Sequence, residues 1–347
     1  MSNSIAIPPT LRADLSKVET DSEAPAKPQG VMQTSTSTHV PMEPVNVPFL
    51  QAGESHFLEG SAAIFKSSRM VSAPKFDDNG FQKYKKSKRC ELFSKKGPRA
   101  KDVRQGDLGD CFLLANLASL AHRHPQKIRQ MVRDNKDGTY SVRFYKRGGG
   151  DNFVPEWITV DSKLPRVFDL NPLNLGWKKE VYAQARDTDL DRKEEIWVAL
   201  VEKAFAIFDD RYGISDGPNE YREGYDGLDG GRPDTALEAL IGHRAKTVRI
   251  FHFDDSELWR LLQHADKGAC ITAGSKGTSD GEFIANGIPG NHLYSVLGTE
   301  KDDGKHYVVL RNPWGHTEPN KLKGDGVFKI ELSEFRESFQ HVSYAAK

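Results

Sequence analysis

The chain has little cysteine: its 347 residues include only Cys90, Cys111 and Cys270. So few thiols argue against a disulfide framework and favour a reducing compartment, which predicts a cytoplasmic location, with export by an unconventional route left open. The sequence also lacks any apolar run of about 18 residues, and its N-terminus has no basic region followed by an apolar core. We therefore expect neither a transmembrane segment nor a cleavable signal peptide.

An excess of one charge is absent as well, since 49 basic and 49 acidic side chains cancel. No attraction to nucleic acid or to a membrane surface follows from this balance. The basic stretch at 83–101 is most simply a solvated surface, and contact with anionic lipid or acidic protein is the alternative. A composition of 37% hydrophobic and 28% charged residues suits a soluble protein of one to two domains, and it does not indicate an oligomeric state.

Residues 1–70 are rich in Pro, Ser, Thr and Glu and show little hydrophobic periodicity. Such a segment cannot bury enough apolar surface to offset its conformational entropy, so it is predicted to be a disordered N-terminal extension. It could serve as a linker, an inhibitory pro-segment, a targeting region or an uncleaved export signal. The remainder, residues 71–347, is predicted to be the folded domain.

The folded part divides into two halves of different character. Helical patterns dominate the first, with apolar residues at helical spacing in 111–122 and 196–209. The second has one predicted helix at 234–241, followed by strand-like runs at 247–253, 269–273, 292–297, 307–311 and 327–330. The sequence therefore predicts an α+β fold, with a helical subdomain at about 71–230, an antiparallel β subdomain at about 231–347 and a cleft between them.

Cys111 follows the Gly-rich turn that contains Gly106 and Gly109, and it opens a strongly apolar helix. The free N–H groups and positive dipole end of such a helix favour the thiolate, which is the reactive form of cysteine. Asp110 opposes ionisation of the thiol unless another group satisfies its charge. Gln105 lies six residues upstream, where its amide could reach an oxygen near the sulfur. A small buried hydrophobe is the alternative interpretation of this cysteine.

A base is predicted from a hairpin whose turn is centred near Asp303. In an antiparallel ladder this turn brings His292 within about three positions of Asn312. Asn312 could then accept a hydrogen bond from one ring nitrogen while the other nitrogen faces a thiol, as in nucleophile–base–orienter triads. Trp314 could shield that bond from water. Each residue alone has an ordinary explanation, and the prediction depends on their joint occurrence.

Six segments, in this order, resemble the protease core of calpains, which are papain-like cysteine endopeptidases regulated by calcium: QGDLGDCFLLANLASL, EIWVALVEKAFAIFDDRYG, GYDGLDGGRPDTALEAL, NHLYSVLG, RNPWG and KGDGVFKIELSEF. The resemblance runs from about Phe76 to Phe339 and implies a papain-like fold. It implies roles for five residues: nucleophile Cys111, general base and acid His292, orienting residue Asn312, oxyanion donor Gln105 and covering residue Trp314.

The chain departs from the calpain pattern at several points. Phe112 stands where calpains usually have Trp, and Asn291 stands where they usually have Gly. Residues 166–194 and 213–224 resemble insertions, and 318–323 resembles a shortened loop, so substrate specificity does not carry over. By resemblance Gly230 and Gly231 line the substrate cleft, although a simple hinge turn would also explain them.

The resemblance also implies calcium as a regulatory cofactor and no redox cofactor. Asp102 and Glu195 match the carboxylate positions of a first calcium site, with Lys95 and Gly97 supplying backbone oxygens. The alternative is that both are ordinary surface carboxylates.

In a second calcium site Glu318 and Asp325 match, but Val327 replaces a carboxylate, so this site is predicted to be lost. No segment fits an EF-hand loop, and we expect no accessory calcium-sensing domain.

Together these features predict a calcium-dependent cysteine endopeptidase that acts on protein or peptide substrates through a thioester intermediate. Three alternatives remain open at this point. One is a transglutaminase-like acyl transferase, although its usual third residue is Asp where this chain has Asn312. The others are a catalytically silent calpain-like binding module and a protease that processes its own N-terminal segment.

Overall fold

The structure is a computed structural model that describes residues 73–75, 82–86, 90–169, 176–178, 182–185, 194–215, 223–278, 282–284, 286–316 and 324–345. The extension predicted at 1–70 and the predicted ligand Glu318 lie outside these residues. None of the helices in the described part of the chain has the length and apolar content that a membrane crossing requires.

The first half contains three helices and several short sheets. The helices are α1 (Cys111–Arg123), α2 (Pro125–Met131) and α3 (Trp197–Tyr212). The strands are β1 (Gln82–Lys86), β2 (Cys90–Glu91), β3 (Val103–Arg104), β4 (Val132–Asp134), β5 (Thr139–Arg147), β6 (Phe153–Asp161), β7 (Lys163–Asp169), β8 (Gly176–Lys178), β9 (Gln184–Ala185) and β10 (Glu194–Glu195). Helix α1 is buried from Phe112 to Ala121, because most of the side chains in this stretch are apolar.

The second half is built on a six-stranded antiparallel sheet. Its helices are α4 (Pro233–Ile241), α5 (Asp255–Leu262) and α6 (Leu332–Ser338). Its strands are β11 (Ala245–Arg249), β12 (Ile271–Ser275), β13 (Leu293–Asp302), β14 (Lys305–Arg311), β15 (Val327–Glu331) and β16 (Phe339–Ala345), in the spatial order β11-β16-β12-β13-β14-β15. The helices and antiparallel sheets confirm the predicted α+β class.

The hairpin that the sequence predicts is formed by β13 and β14. Asp302 pairs with Lys305, and the two turn residues Asp303 and Gly304 have φ angles of 46° and 73°. Positive φ at both central residues is the geometry of the tight turns that match the twist of a hairpin, and Asp-Gly tolerates it. The hairpin carries the chain from His292, just before β13, to Asn312, just after β14.

The first half is less helical than the sequence pattern suggests. A three-stranded antiparallel sheet, β4-β5-β6, packs on α3, where the Phe144 ring meets Phe205 at 5.4 Å. Buried and less buried positions alternate at the start of β5, so the missed signal was an apolar period of two rather than 3.6. The predicted strand at 247–253 also ends early, because residues Ile250–His252 form a 3-10 helix.

Among the hydrogen bonds that join α1 and the segment before it to the hairpin, three lie toward the start of α1. Ser295 Oγ on β13 donates to the Ala115 carbonyl within α1 at 2.7 Å, and both groups are buried. The Gln105 backbone N–H donates to the Pro313 carbonyl at 2.9 Å. The Arg311 guanidinium donates to the Val103 carbonyl at 2.6 Å. These bonds bring the start of α1 beside the ends of β13 and β14.

Candidate active site

His292 and Asn312 are in direct contact. The imidazole Nε2 lies 2.9 Å from Asn312 Oδ1, and both residues are buried. Asn312 Oδ1 also accepts the Trp314 backbone N–H at 3.0 Å, which supports its assignment as the amide oxygen. Nε2 therefore donates, and Nδ1 carries the free lone pair of a neutral imidazole. The pairing is the one that the hairpin register predicts.

The position of His292 is set by the strand next to it. Its backbone N–H donates to Ser275 Oγ at 2.9 Å, and its carbonyl accepts the Ser275 N–H at 2.9 Å. Asn291 has a φ of 50°, in the left-handed region that Gly and Asn tolerate best. Asn291, which stands where calpains usually have Gly, therefore fits the backbone conformation at this position. Its side-chain Nδ2 donates to the Thr278 carbonyl at 2.8 Å.

Two aromatic rings enclose the imidazole. The centroids of the Trp314 and His292 rings are 4.6 Å apart. The Tyr294 ring approaches the His292 ring edge-on, with a centroid distance of 5.1 Å. Burial lowers the pKa of His292 to about 4, and the hydrogen bond that the imidazole donates to Asn312 offsets part of that effect. The imidazole is therefore neutral at physiological pH, the form that can accept a proton.

Cys111 is the first residue of α1 and is half-buried. Burial raises the pKa of the Cys111 thiol to about 12; the Leu293 backbone N–H lowers the pKa and the Asp110 carboxyl raises it. The sequence predicts that the helix N-terminus favours the thiolate, but here burial and Asp110 outweigh the N–H groups. Burial thus favours the neutral form of the Cys111 thiol, as it favours the neutral imidazole of His292.

Gln105 lies on the turn before α1. Its side-chain Nε2 donates to the Leu108 carbonyl at 2.7 Å, which folds the amide over the turn. A primary amide has two N–H donors, so one remains for a substrate oxygen. Its assignment as an oxyanion donor remains a prediction.

Gly230 and Gly231 pack against the start of α1. The Gly230 N–H donates to the Gly109 carbonyl at 3.1 Å, and its φ of 94° suits glycine. A Cβ on Gly231 would lie 2.7 Å from the Phe112 ring, so no side chain fits without movement of that ring. The structure thus explains both glycines by local packing, and their contact with substrate remains a prediction.

The predicted first calcium site brings its two carboxylates together. Asp102 is fully buried and accepts the Arg99 backbone N–H at 2.7 Å and the Arg99 guanidinium at 3.0 Å. Glu195 Oε1 accepts the Ser94 N–H at 2.8 Å. Burial, with a smaller contribution from Asp102, raises the pKa of Glu195 to about 7, and burial also raises the pKa of Asp102.

This oxygen-rich cluster fits a hard cation. Glu195 Oε2 is buried and has no hydrogen-bond partner in the described residues, and Lys95 and Gly97 lie on the loop that begins at Ser94. No group of three or more His, Cys, Asp or Glu residues suited to a metal occurs in the part of the chain that the structure describes. A calcium ion here would therefore need backbone oxygens besides the two carboxylates.

The second calcium site, which the sequence predicts to be lost, can be followed only in part. Glu318 lies outside the described residues. Asp325 Oδ1 accepts the Val327 N–H at 3.3 Å at the start of β15. The loss of this site remains a prediction.

Sequence reasoning missed Glu202, which faces Asp110 below the start of α1. Both side chains are buried, with exposures of 1% and 0%. A signal was available, because Glu202 and Lys203 are the two charged residues in the otherwise apolar run 196–208, where a charge requires a partner. The identity of that partner depends on tertiary packing.

Comparisons with known proteins identify the family of the chain. A family model described as "Calpain family cysteine protease" matches residues 81–325. The calpain-type cysteine protease ADL1 of Oryza sativa subsp. japonica is 28% identical over 250 residues, which cover 69% of this chain and 10% of that protein. Calpain-9 of Homo sapiens is 27% identical over 240 residues, which cover 65% of this chain and 30% of that protein. The chain thus spans less than a third of either relative.

Among solved structures, the ragweed pollen allergen Amb a 11, a cysteine protease in its proform, aligns with a TM-score of 0.25 and 14% identity over 38% of this chain and 49% of that chain. The family assignment depends on the sequence match, which covers well over half of the 347 residues. The chain belongs to the calpain family of cysteine proteases.

Proposed function

We propose that the chain is a cysteine endopeptidase that hydrolyses peptide bonds in protein substrates. The observation that carries this proposal is the His292–Asn312 pair, which leaves Nδ1 of a neutral imidazole available as a base. Cys111 lies beside this pair, because its thiol accepts a hydrogen bond from the backbone N–H of Leu293, the residue next to His292. A thiol, a base and an orienting amide are the parts that nucleophilic acyl transfer needs.

In the proposed mechanism His292 Nδ1 takes the thiol proton while the Cys111 sulfur attacks the substrate carbonyl carbon. The carbonyl oxygen becomes an oxyanion, held by the Cys111 backbone N–H and the second amide hydrogen of Gln105. Each such donor contributes about 2.7–4 kcal/mol in other oxyanion holes. The imidazolium then protonates the leaving amine, and water hydrolyses the thioester with His292 again acting as base.

Asn312 contributes by holding the imidazole. Its Oδ1 accepts the Nε2 hydrogen, which keeps Nδ1 unprotonated and directs the ring. The same oxygen accepts the Trp314 N–H, so the amide is itself held in place. Trp314 covers the ring and keeps water from competing for this hydrogen bond.

We further propose that Asp102 and Glu195, with backbone oxygens of Lys95 and Gly97, hold a regulatory calcium ion. The support is a pair of neighbouring buried carboxylates with raised pKa values, one oxygen of which has no partner in the described residues. A calcium ion would neutralise this charge. It would also compete with Arg99 for Asp102, and thereby alter the loop before β3 and α1.

The proposed activity is tested with purified parent, Cys111→Ala and Cys90→Ala proteins, assayed on casein with calcium and with a chelator. Cys90→Ala is the matched control, because Cys90 is also half-buried but lies on β2. We expect the parent and the control to cleave casein and Cys111→Ala to be inactive. Equal cleavage by Cys111→Ala and the parent would refute the assignment.

Two further measurements separate the alternatives. A peptidyl epoxide should label Cys111, and an unlabelled protein without peptidase activity would indicate a silent binding module. Incorporation of a fluorescent amine into casein, without peptide cleavage, would indicate acyl transfer to amines instead of to water.

The calcium proposal is tested by thermal unfolding with calcium, with magnesium and without either ion. We expect calcium to raise the Tm of the parent, because a ligand that binds only the folded state stabilises it. Glu195→Gln should lose this increase. Glu194→Gln is the matched control, since Glu194 is adjacent in sequence but pairs with Arg166. An equal calcium-induced shift in the parent and Glu195→Gln would contradict the site.

A further inference from the structure

A buried pair of carboxyl groups lies directly behind the nucleophile position. Asp110 precedes α1 and its side chain makes no capping hydrogen bond, while Glu202 projects from α3. Glu202 Oε1 accepts the Ala183 N–H at 2.9 Å. The other oxygen of Glu202 and both carboxyl oxygens of Asp110 are buried, and they find no N–H or hydroxyl partner in the described residues. The two carboxyl groups lie within hydrogen-bonding reach of each other.

The groups around this pair provide no positive charge. Asp110 is faced by Glu202, by Asp229 at the end of the 3-10 helix Gly224–Leu228 and by the Cys111 thiol. Glu202 is faced by Asp110 and by the phenols of Tyr84 and Tyr225. Lys203, the next residue on α3, bonds instead to Asp161 at 2.6 Å. In the described part of the chain no cationic side chain acts on either carboxyl group.

Two carboxylates in contact cannot both remain ionised in such surroundings, so the pair must hold at least one proton. The position of each group relative to its helix indicates where it resides. Asp110 is the residue before α1, where the free N–H groups and positive dipole end favour a negative charge, whereas Glu202 lies within α3. Burial raises the pKa of Glu202 well above its usual value, whereas the hydrogen bond from Glu202 partly offsets the burial of Asp110, whose pKa is about 7. Glu202 therefore carries the proton and donates it in a hydrogen bond to Asp110.

We propose that Glu202 is a positioning residue: in its protonated form it keeps the negative charge of the pair on Asp110, where that charge restrains ionisation of the Cys111 thiol. Uptake of a second proton, by Asp110, releases the restraint. The pair is thus a proton-dependent control on the nucleophile, which acts through the carboxyl group next to it. Its relevance to catalysis depends on the proposed peptidase function, but its effect on the thiol does not.

The charge of Asp110 and the hydrogen-bond donor of Glu202 determine how each substitution shifts the pKa of the Cys111 thiol. Removing the Asp110 charge should ease ionisation of the thiol, because that charge raises the Cys111 pKa. Removing the Glu202 donor should have the same sign, since Asp110 would then take up a proton. A glutamine at 202 can still accept from Ala183 N–H and donate to Asp110, so it should preserve the restraint.

The test measures the rate of Cys111 alkylation by iodoacetamide against pH, read at this residue by peptide mass spectrometry. The variants are Asp110→Asn, Glu202→Met and Glu202→Gln, in the full-length protein. Asp209→Asn is the matched control, because Asp209 is another buried carboxylate of α3 but bonds to Ser215. Circular dichroism at each pH verifies that every variant is folded.

We expect Asp110→Asn to move the midpoint of the alkylation profile to lower pH by about one unit, a tenfold higher thiolate fraction at a given pH below the midpoint. Glu202→Met should move it in the same direction, and Glu202→Gln and Asp209→Asn should retain the parent profile. An unchanged or upward-shifted midpoint in Asp110→Asn would overturn the proposal. An equal shift in Glu202→Gln and Glu202→Met would overturn it as well.

Alkylation does not require peptide hydrolysis, so the two proposals can fail separately. If the parent cleaves no peptide but the four variants behave as expected, the carboxyl pair controls the thiol and the peptidase assignment is wrong. If the parent is an active peptidase and Asp110→Asn leaves the alkylation midpoint unchanged, the peptidase assignment is supported and the carboxyl pair does not control the thiol.

Discussion

The two sides of the candidate active site are held in place by different interactions. On the β side, His292 donates hydrogen bonds to Asn312 Oδ1 and Ser275 Oγ, and the Trp314 N–H holds Asn312 in place. On the α side, the start of α1 packs against Gly231, and two buried carboxyl groups lie next to Cys111. The comparison shows that orientation of the base and protonation of the thiol are controlled separately. Substitutions on the β side should therefore affect catalysis most, and those on the α side should affect stability and thiol ionisation.

The largest expected effect is the loss of the acceptor on the β side. Asn312→Ala should lower kcat/KM for a peptide substrate by about 10²–10³-fold, because the imidazole loses its orienting bond and general-base catalysis is worth roughly 10²–10⁴. Asn312→Asp is the control, since it retains an acceptor for the Nε2 hydrogen and should keep more activity. Equal activities of the alanine and aspartate variants would show that orientation by residue 312 does not matter.

The second prediction concerns pH and the buried imidazole. The pKa of His292 is about 4 in the folded chain and close to 6.5 when unfolded, so neutral His292 contributes stability above pH 6.5. This contribution is lost as the pH falls from 6.5 to 4, up to about 3 kcal/mol. The measurement is the difference in free energy of unfolding between the parent and His292→Gln in urea at pH 7 and pH 4.5. A difference independent of pH would mean that the imidazole is not buried in its neutral form.

The third prediction tests packing on the α side. Gly231→Ala should lower the free energy of unfolding by about 1–3 kcal/mol, because the added Cβ overlaps the Phe112 ring. In a Phe112→Leu background the same change should cost less, since the ring is absent. Gly149→Ala is the control, as nothing lies within 4 Å of its Cβ position. An equal cost of Gly231→Ala in both backgrounds would contradict this contact.

The smallest expected effect lies at the junction of the two sides. Ser295→Ala removes the bond from β13 to the Ala115 carbonyl and should lower the free energy of unfolding by about 1 kcal/mol. Ser256→Ala, which loses an exposed hydroxyl that bonds to Asp254, should cost less. Chemical denaturation of both variants provides the measurement, and an equal cost would indicate that the junction bond adds no stability.

Much of the fold could be predicted where the pattern was local. The apolar runs of α1 and α3 and the Asp-Gly hairpin of β13 and β14 were identified within a few residues of their observed bounds. Strands β5 and β6 and helices α5 and α6 were missed. Strand β6 shows little alternation between buried and less buried positions, and α6 has only seven residues, too few for a clear helical period. Helix α5 carried a signal that was missed, the capping box formed by Asp254 and Glu257.

The candidate site could be predicted in its residues but not in its charge state. Cys111, His292 and Asn312 were recognisable from a helix start, a hairpin and the family resemblance. Glu202 was not, because its partner Asp110 lies far away in the sequence and is brought to it by the packing of α3 below α1. The balance at the Cys111 thiol, where burial and Asp110 outweigh the helix N-terminus, depends on tertiary packing for the same reason.

The sequence by itself therefore determined that a cysteine opens a buried helix and that a histidine and an asparagine meet at the ends of a hairpin. These features follow from helical period, strand register and turn chemistry, which act between near neighbours. Only the tertiary structure decided that burial favours the neutral thiol and the neutral imidazole, and that two carboxyl groups meet behind the nucleophile. The cost of removing a group from water, and the charges that surround it, depend on segments that folding brings together from distant parts of the chain.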